Sequence, residues 1–289
     1  MPTKIEKDAL TGKLTTGHEW DGIKELNTPL PKWWLYILYA TIIWSAVWAL
    51  LFPSFPGLSG HFGGVLGWTK REDIAREMAA VVDARAPMFE RIRSSDLEEI
   101  RRDPTLLRFA TAGARQAFAD NCAPCHGSGG EGRPGGFPSL IDDDWIWGGT
   151  LEDIAFTIRH GIRNAQDEEA RQSQMPAYAQ ILSRREIEDV AEFVLSFTNR
   201  ATDAEAARRG ESIYAENCVA CHGEQGEGVR AVGGPALNDA IWLYGGSREQ
   251  IIAQIANPRM GVMPPWQGRL DEAIIRMLAV YVHTLGGGE

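Results

Sequence analysis

The sequence has few basic residues for its length. Its 29 Lys and Arg are outnumbered by 39 Asp and Glu, which gives a formal net charge of −10. Binding to the phosphates of a nucleic acid needs a basic face, so this composition argues against a nucleic-acid partner. The acidic excess lies in the part of the chain after residue 108. Such a surface steers a basic partner by long-range attraction, and it also serves simply to keep a protein soluble.

Cysteine is scarce as well, and all of it belongs to one repeated motif. The four cysteines form two Cys-x-x-Cys-His sequences: Cys122, Cys125, His126, and Cys218, Cys221, His222. This spacing is typical of c-type haem attachment, in which both cysteines bond to haem vinyl groups and the histidine reaches the iron. A zinc site would need four gathered ligands, a thioredoxin-like pair would need a βαβ context, and disulfides would not explain the repeated histidine. The motifs therefore predict two covalently bound haems c.

Long apolar runs are also rare, with one exception near the N-terminus. Residues 33–52 contain no charged residue, and Trp33, Trp34 and Tyr36 crowd its start. A helix of about 20 residues spans the hydrocarbon core of a bilayer, and Trp and Tyr favour its interfaces. A cleaved signal peptide is the alternative, but its apolar core is usually shorter and ends at an A-x-A site, which is not evident here. The run predicts an uncleaved transmembrane helix over residues 33–52.

The lysines around this helix indicate its orientation. Lys13, Lys24 and Lys32 precede it, whereas the next basic residues are Lys70 and Arg71. Basic residues near a membrane helix stay on the cytoplasmic side. We therefore expect a single-pass protein of the bacterial inner membrane, with residues 1–32 in the cytoplasm and the haem domains in the periplasm.

The region after the anchor contains an internal repeat. Each copy runs from the haem motif through a Gly-rich loop and an aromatic-Gly-Gly sequence to a Met-Pro pair and a final amphipathic helix. A possible capping box, Thr202 to Glu205, opens the second copy. We predict a periplasmic helical linker over 53–108, a first cytochrome c domain over 109–200 and a second over 203–289.

The Met-Pro pairs supply candidate sixth ligands to the two irons. Met175 and Met263 each precede a proline at matching places in the repeat. A methionine opposite a histidine leaves no open position on the iron, which suits electron transfer rather than catalysis. We expect His/Met ligation of both haems, with Met260, which lacks the proline, as the weaker candidate for the second. The sequence leaves open whether each methionine serves the haem of its own half or of the other.

The N-terminal segment is similar to a known family. Residues Thr15-Thr-Gly-His18-Glu-Trp20-Asp21-Gly22-Ile23, followed by Asn27, Pro29, Pro31 and the membrane helix, resemble the dihaem subunit (FixP or CcoP type, subunit III) of cbb3-type cytochrome c oxidase. The two halves after residue 108 resemble tandem class I cytochrome c domains. The resemblance implies a mainly α fold, with one N-terminal transmembrane helix followed by two tandem class I cytochrome c domains.

The same resemblance implies a place in a respiratory complex. The chain would take electrons from a donor cytochrome c, expected to be basic. It would pass them through its two haems to the monohaem cytochrome c subunit and the haem–copper catalytic subunit, which reduces oxygen to water. The chain itself would be an electron carrier with no catalytic site. A stand-alone membrane-anchored electron shuttle is the alternative, and a dihaem peroxidase would need an iron with an open or displaceable ligand.

Overall fold

The computed structural model describes residues 4–289 and confirms that the chain is mainly α-helical. The chain divides into two compact units, Met1–Asp83 and Ala84–Glu289. A β-hairpin and a long apolar helix form the main elements of the first unit. The hydrophobic cores found among the described residues both lie in the second unit.

A β-hairpin forms in the N-terminal segment, for which the sequence analysis predicted no secondary structure. Strands β1 (Thr15–Trp20) and β2 (Ile23–Leu26) pair antiparallel, with Trp20 opposite Ile23. The two turn residues, Asp21 and Gly22, have φ angles of 48° and 84°. Positive φ at both central positions defines the type I′ turn, which matches the twist of the flanking strands and favours Asp-Gly. The hairpin is therefore encoded by a local signal.

Helix α1 (Lys32–Leu51) is the predicted apolar helix, displaced by one residue at each end. Its mean hydropathy is 1.8, and none of its residues is buried. Within residues 4–289 it is the one helix long and apolar enough to cross a membrane. A helix that is apolar on all sides is typical of a protein core or of a membrane span. The length and composition of α1 therefore fit a membrane anchor. A short hairpin follows it, formed by β3 (Pro56–Gly57) and β4 (Gly60–His61).

The remaining chain is a succession of helices and loops. The helices, in chain order, are α2 (Lys70–Ser94), α3 (Leu97–Arg102), α4 (Pro104–Asn121), α5 (Ala123–His126), α6 (Leu151–His160), α7 (Arg184–Ser196), α8 (Ala204–Asn217), α9 (Val219–His222), α10 (Arg248–Ala256) and α11 (Glu272–His283). Two short 3₁₀ turns, Tyr178–Gln180 and Arg230–Val232, lie in the connections.

Two helix starts illustrate how local chemistry sets these boundaries. Asp103 caps α4 by accepting the N–H of Thr105 at 2.7 Å, and Pro104 occupies the first helical position, which needs no N–H donor. The predicted capping box at the start of α8 is wrong. Asp203, not Thr202, is the capping residue, because the Thr202 N–H and hydroxyl donate instead to the buried carboxylate of Glu192.

The first core draws on both sequence halves. Helices α4 and α6, from the first half, pack against α11, the last helix of the chain. Phe118 of α4 meets Tyr281 of α11 edge-on, with ring centroids 5.4 Å apart. The end of α2 and all of α3 also cover this core through Ile92, Leu97 and Ile100. We call α3 to α6 together with α11 the first lobe.

The second core shows the reciprocal arrangement. Helix α7, the last helix of the first half, packs on α8 and α10 of the second half. Tyr214 of α8 contacts Phe193 and Phe197 at the end of the first half, with centroids 5.1 and 5.4 Å apart. We call α7 to α10 the second lobe. The two halves have thus exchanged their C-terminal helices, so the predicted domain limits, which stay a prediction, do not coincide with the two packed cores.

Candidate functional site

Each Cys-x-x-Cys-His motif folds as a single helical turn at the end of a longer helix. Cys122 ends α4, and its carbonyl accepts the N–H groups of Cys125 at 3.1 Å and His126 at 2.9 Å. Residues three and four apart are neighbours on a helix surface, so the Cys122 thiol lies beside both the Cys125 thiol and the His126 imidazole. Gly127, with φ of 83°, then ends the turn.

The second motif repeats this geometry. The Cys218 carbonyl accepts the N–H groups of Cys221 at 3.1 Å and His222 at 2.9 Å, and Gly223 ends the turn with φ of 79°. Burial raises the pKa of the Cys122 and Cys218 thiols to about 11.

Both histidines are oriented by a proline carbonyl. His126 Nδ1 lies 3.0 Å from the Pro138 carbonyl, and His222 Nδ1 lies 2.9 Å from the Pro235 carbonyl. A ring nitrogen that bonds a carbonyl must carry the proton, so Nε2 is left with its lone pair free for a metal. Burial lowers the pKa of both histidines, which favours the neutral imidazole that ligates iron.

Met263 lies in the first lobe although it comes from the second half of the sequence. Its side chain packs against the same core as Cys122 and Ala123. Its backbone forms a two-way bridge with Ile162, in which both N–H···O distances are 3.0 Å. Trp266, three residues later, is buried in the same core, and its backbone N–H donates to the Ile158 carbonyl at 3.1 Å. The structure therefore brings Met263 together with the motif of His126.

Met175 lies in the second lobe although it comes from the first half. It packs against the same core as Cys218 and Val219. Ser173 Oγ donates to the carbonyl of Gly233, in the loop after the second motif, at 3.4 Å. Tyr178 donates its hydroxyl to the carbonyl of Asn217, next to Cys218, at 2.6 Å. The structure therefore brings Met175 together with the motif of His222, while Met260 is exposed.

The second lobe also offers an unpaired donor where a haem would fit. Trp242 Nε1 is the only buried side-chain nitrogen or oxygen without a hydrogen-bond partner in residues 4–289. The Trp242 side chain packs on the same core as Met175 and Cys218. A haem carries two propionates, which accept hydrogen bonds. Thiol, imidazole and thioether donors, together with this indole N–H, fit a haem c.

The matching indole in the first lobe has a partner. Trp145 donates its Nε1–H to the carbonyl of Gly287 in the C-terminal tail. The sequence analysis did not single out Trp145 or Trp242. They recur 97 residues apart, three residues before a Gly-Gly pair, and this regularity could have identified them.

The two remaining histidines of the second unit have protein partners. His160 Nδ1 lies 3.1 Å from Asp167 and 3.3 Å from Glu169, and His283 Nε2 lies 2.8 Å from the Glu289 carbonyl. The partners of both histidines lie outside the two Cys-x-x-Cys-His motifs.

Three family models match the chain in succession. The N-terminal domain of cytochrome oxidase-cbb3, FixP, matches residues 12–59, cytochrome c matches 110–198, and cytochrome C oxidase, cbb3-type, subunit III matches 205–282. The chain is 49% identical over 293 residues to the cbb3-type cytochrome c oxidase subunit CcoP of Azospirillum brasilense, with 98% of this chain and 99% of the relative covered. It is 46% identical over 292 residues to subunit FixP of Bradyrhizobium diazoefficiens, with both proteins covered completely. The chain belongs to the CcoP/FixP family.

Membership of the CcoP/FixP family confirms the resemblance seen in the N-terminal segment and the two haem motifs. The two cytochrome c matches contain Cys122 and Cys218 respectively, so the chain has two domains of the type that binds haem c covalently. The choice of individual iron ligands stays a prediction.

Proposed function

We propose that this chain is the dihaem electron-transfer subunit of a cbb3-type cytochrome c oxidase. In this proposal Cys122 and Cys125 would hold the first haem, and His126 and Met263 would be the ligands of its iron. Cys218 and Cys221 would hold the second haem, and His222 and Met175 would be the ligands of its iron. The observation that carries the ligand assignment is the exchange of the Met-Pro segments between the two lobes.

The protein's part in electron transfer is to bind and orient. When bound, each haem supplies a one-electron Fe(III)/Fe(II) couple. His126 and His222 keep their Nδ1 proton on a carbonyl, which fixes the ring and presents Nε2. Met263 and Met175 would each offer a thioether to the iron that His126 and His222 would hold, which would raise the reduction potential and leave no position for oxygen. The chain then carries electrons and has no catalytic site of its own.

The partners follow from the family and from charge. The relatives are named as subunits of cbb3-type cytochrome c oxidase, so we propose that this chain assembles with the haem–copper catalytic subunit and the monohaem cytochrome c subunit. The acidic excess after residue 108 favours a basic donor cytochrome c. The hairpin that carries His18 and Trp20 is the proposed contact with the oxidase core or an assembly partner.

The topology is proposed from the basic residues that flank α1. Five lysines precede or begin the helix, Lys13, Lys24 and Lys32 among them, and none lies between its end and Lys70. The N-terminal segment would then be cytoplasmic and the haem domains periplasmic at the bacterial inner membrane. Membrane lipid surrounds α1. Residues 53–108 would be the helical linker, with cytochrome c domains over 109–200 and 203–289.

Mild purification of the full chain from membranes tests this function. We expect a haem–copper subunit to co-purify, two haems c per chain in a pyridine haemochrome assay, and a low-spin spectrum. Met175→Ala and Met263→Ala should each convert one haem to a high-spin form, whereas the exposed Met260→Ala should not. Two low-spin haems without a co-purifying haem–copper subunit would indicate a stand-alone shuttle, and wild-type spectra in both variants would refute the axial assignment.

A further inference from the structure

Each half of the chain places one aromatic side chain against the haem loop of the other half. Trp147 lies against Gly233, which adopts φ of 65° in the loop after the second motif, and a Cβ at Gly233 would overlap the indole ring. Tyr244 lies against Gly136 in the loop after the first motif, and a Cβ there would come within 2.6 Å of the phenol ring. The two contacts are reciprocal, and neither was predicted from the sequence.

The glycine under each ring lies two residues before the carbonyl that orients a haem ligand. Gly233 precedes Pro235, whose carbonyl lies 2.9 Å from His222 Nδ1. The intervening Gly234 sits so close to the Cys221 carbonyl that no side chain fits there. Gly136 precedes Pro138 in the same way, and the Pro138 carbonyl lies 3.0 Å from His126 Nδ1. In the second loop the packed Gly234 links Gly233 directly to Pro235. In the first loop Phe137, whose backbone N–H and carbonyl bond the backbone of Arg133, links Gly136 to Pro138.

An arginine lies over each ring. The Arg171 guanidinium lies 5.4 Å from the Trp147 ring centroid, and the Arg259 guanidinium lies 4.9 Å from that of Tyr244. Cation–π attraction is effective within about 6 Å. Arg171 is fixed in turn by Thr157 at 2.9 Å and Asp153 at 2.9 Å. Both rings are therefore held, and each arginine lies four residues before a proposed methionine ligand.

We propose that Trp147 and Tyr244 are positioning residues that set the reduction potential of the opposite haem. Trp147, from the first half, fixes the carbonyl that bonds His222, and Tyr244, from the second half, fixes the carbonyl that bonds His126. The hydrogen bond from Nδ1–H to a carbonyl makes the imidazole more electron-rich, and this stabilises the ferric iron. A variant that lets the proline carbonyl move away from Nδ1 weakens this hydrogen bond and therefore raises the reduction potential of that haem. This inference rests on the proposed dihaem function.

The test is a redox titration of the haem-loaded full chain in detergent, followed by NMR. Each haem is identified by contacts between its thioether protons and Ala123 or Val219, which lie inside the two motifs. This identification does not depend on which methionine binds which iron. Trp147→Leu is expected to raise the potential of the haem attached at Cys218 and leave the other unchanged. Tyr244→Leu is expected to do the reverse.

Two further variants separate positioning from loss of packing. Trp147→Phe keeps a flat ring on Gly233 and should restore the wild-type potential, whereas Val232→Ala, in the same loop but exposed, should change neither haem. If Trp147→Leu loses a haem, Arg171→Gln removes the stacked cation and should raise the same potential by a smaller amount. A shift confined to the haem of the variant's own half, or equal shifts in both haems, would overturn the proposal. Unchanged potentials in Trp147→Leu and Tyr244→Leu would overturn it too, even with both haems present and low-spin.

Discussion

Substitution of Gly210 by alanine is predicted to destabilise the second lobe. Gly210 lies in α8 where it crosses α7, and a Cβ there would overlap the Asp189 carbonyl and come within 2.9 Å of the Val190 nitrogen. Because these are backbone atoms, the helices must move apart. Overpacking a core costs about 1–3 kcal/mol, and replacing a helical glycine returns up to about 1 kcal/mol. We expect a net loss of about 1–2 kcal/mol and a Tm lower by about 3–6 °C.

The matched control is Gly113→Ala in α4. A Cβ at Gly113 would meet only the flexible end of the Met277 side chain, which can swing aside. This variant should keep or slightly raise the Tm because helix propensity improves. Both variants are compared as haem-loaded full chains in detergent, by circular dichroism and Soret absorbance during heating. Equal melting temperatures for Gly210→Ala and Gly113→Ala would refute the close α7–α8 crossing.

Three further predictions concern charge and the N-terminal hairpin. Burial and the nearby Asp239 raise the pKa of Asp144 to about 6. Above that pH the charged carboxylate therefore destabilises the folded state. In acid, where Asp144 is protonated in both the folded and the unfolded protein, this destabilisation disappears. The pKa shift corresponds to a loss of about 3 kcal/mol in the free energy of unfolding, which solvent reduces to about 1 kcal/mol at this half-buried site. Asp144→Asn should therefore raise Tm at pH 7 but not at pH 4. A rise in Tm at both pH values would contradict this origin. Burial alone would raise the pKa of Glu192, but the ion pair with Arg248 and the hydrogen bonds from backbone N–H groups lower this pKa. The carboxylate therefore stabilises the fold at neutral pH, and this stabilisation is lost in acid. Glu192→Gln should lower the free energy of unfolding by about 2 kcal/mol at pH 7 and by less at pH 4, as measured in thermal melts; an equal loss at both pH values would argue against the ion pair. Gly22→Val puts a β-branched residue at φ of 84° and should reduce co-purification with the haem–copper subunit while both haems remain; full co-purification would show that the hairpin is dispensable.

The sequence predicted those features that depend on short stretches of chain. The apolar run predicted α1 to within one residue. The motif spacing identified Cys122, Cys125 and His126 and their counterparts as two groups, and the structure places each group on a single helical turn. Family membership, first inferred from the segment around Trp20, was confirmed. The type I′ turn at Asp21 was equally local but was not recognised.

The exchange between the lobes could not be predicted from the sequence. The two halves are copies of one pattern, so α7 satisfies the apolar face of α8 as well as α11 would, and either pairing buries the same kinds of side chain. The observed pairing is distinguished by ion pairs and hydrogen bonds between particular residues. Asp189 of α7 bonds Arg209 of α8 at 2.6 and 2.9 Å, and Glu192 of α7 accepts from Thr202 and Arg248. Such contacts between distant residues have no periodic signature in a single sequence.

The most direct test of the central claim is to observe which methionine methyl group lies over which haem. The reduced full chain, labelled with 13C in its methionine methyl groups, should give two strongly ring-current-shifted signals, one lost in Met175→Ala and the other in Met263→Ala. Each haem is identified by its thioether contacts to Ala123 or Val219. We predict that the Met263 methyl contacts the haem at Cys122 and the Met175 methyl the haem at Cys218. The opposite pairing, or a methyl signal that stays unshifted, would contradict the exchanged ligation.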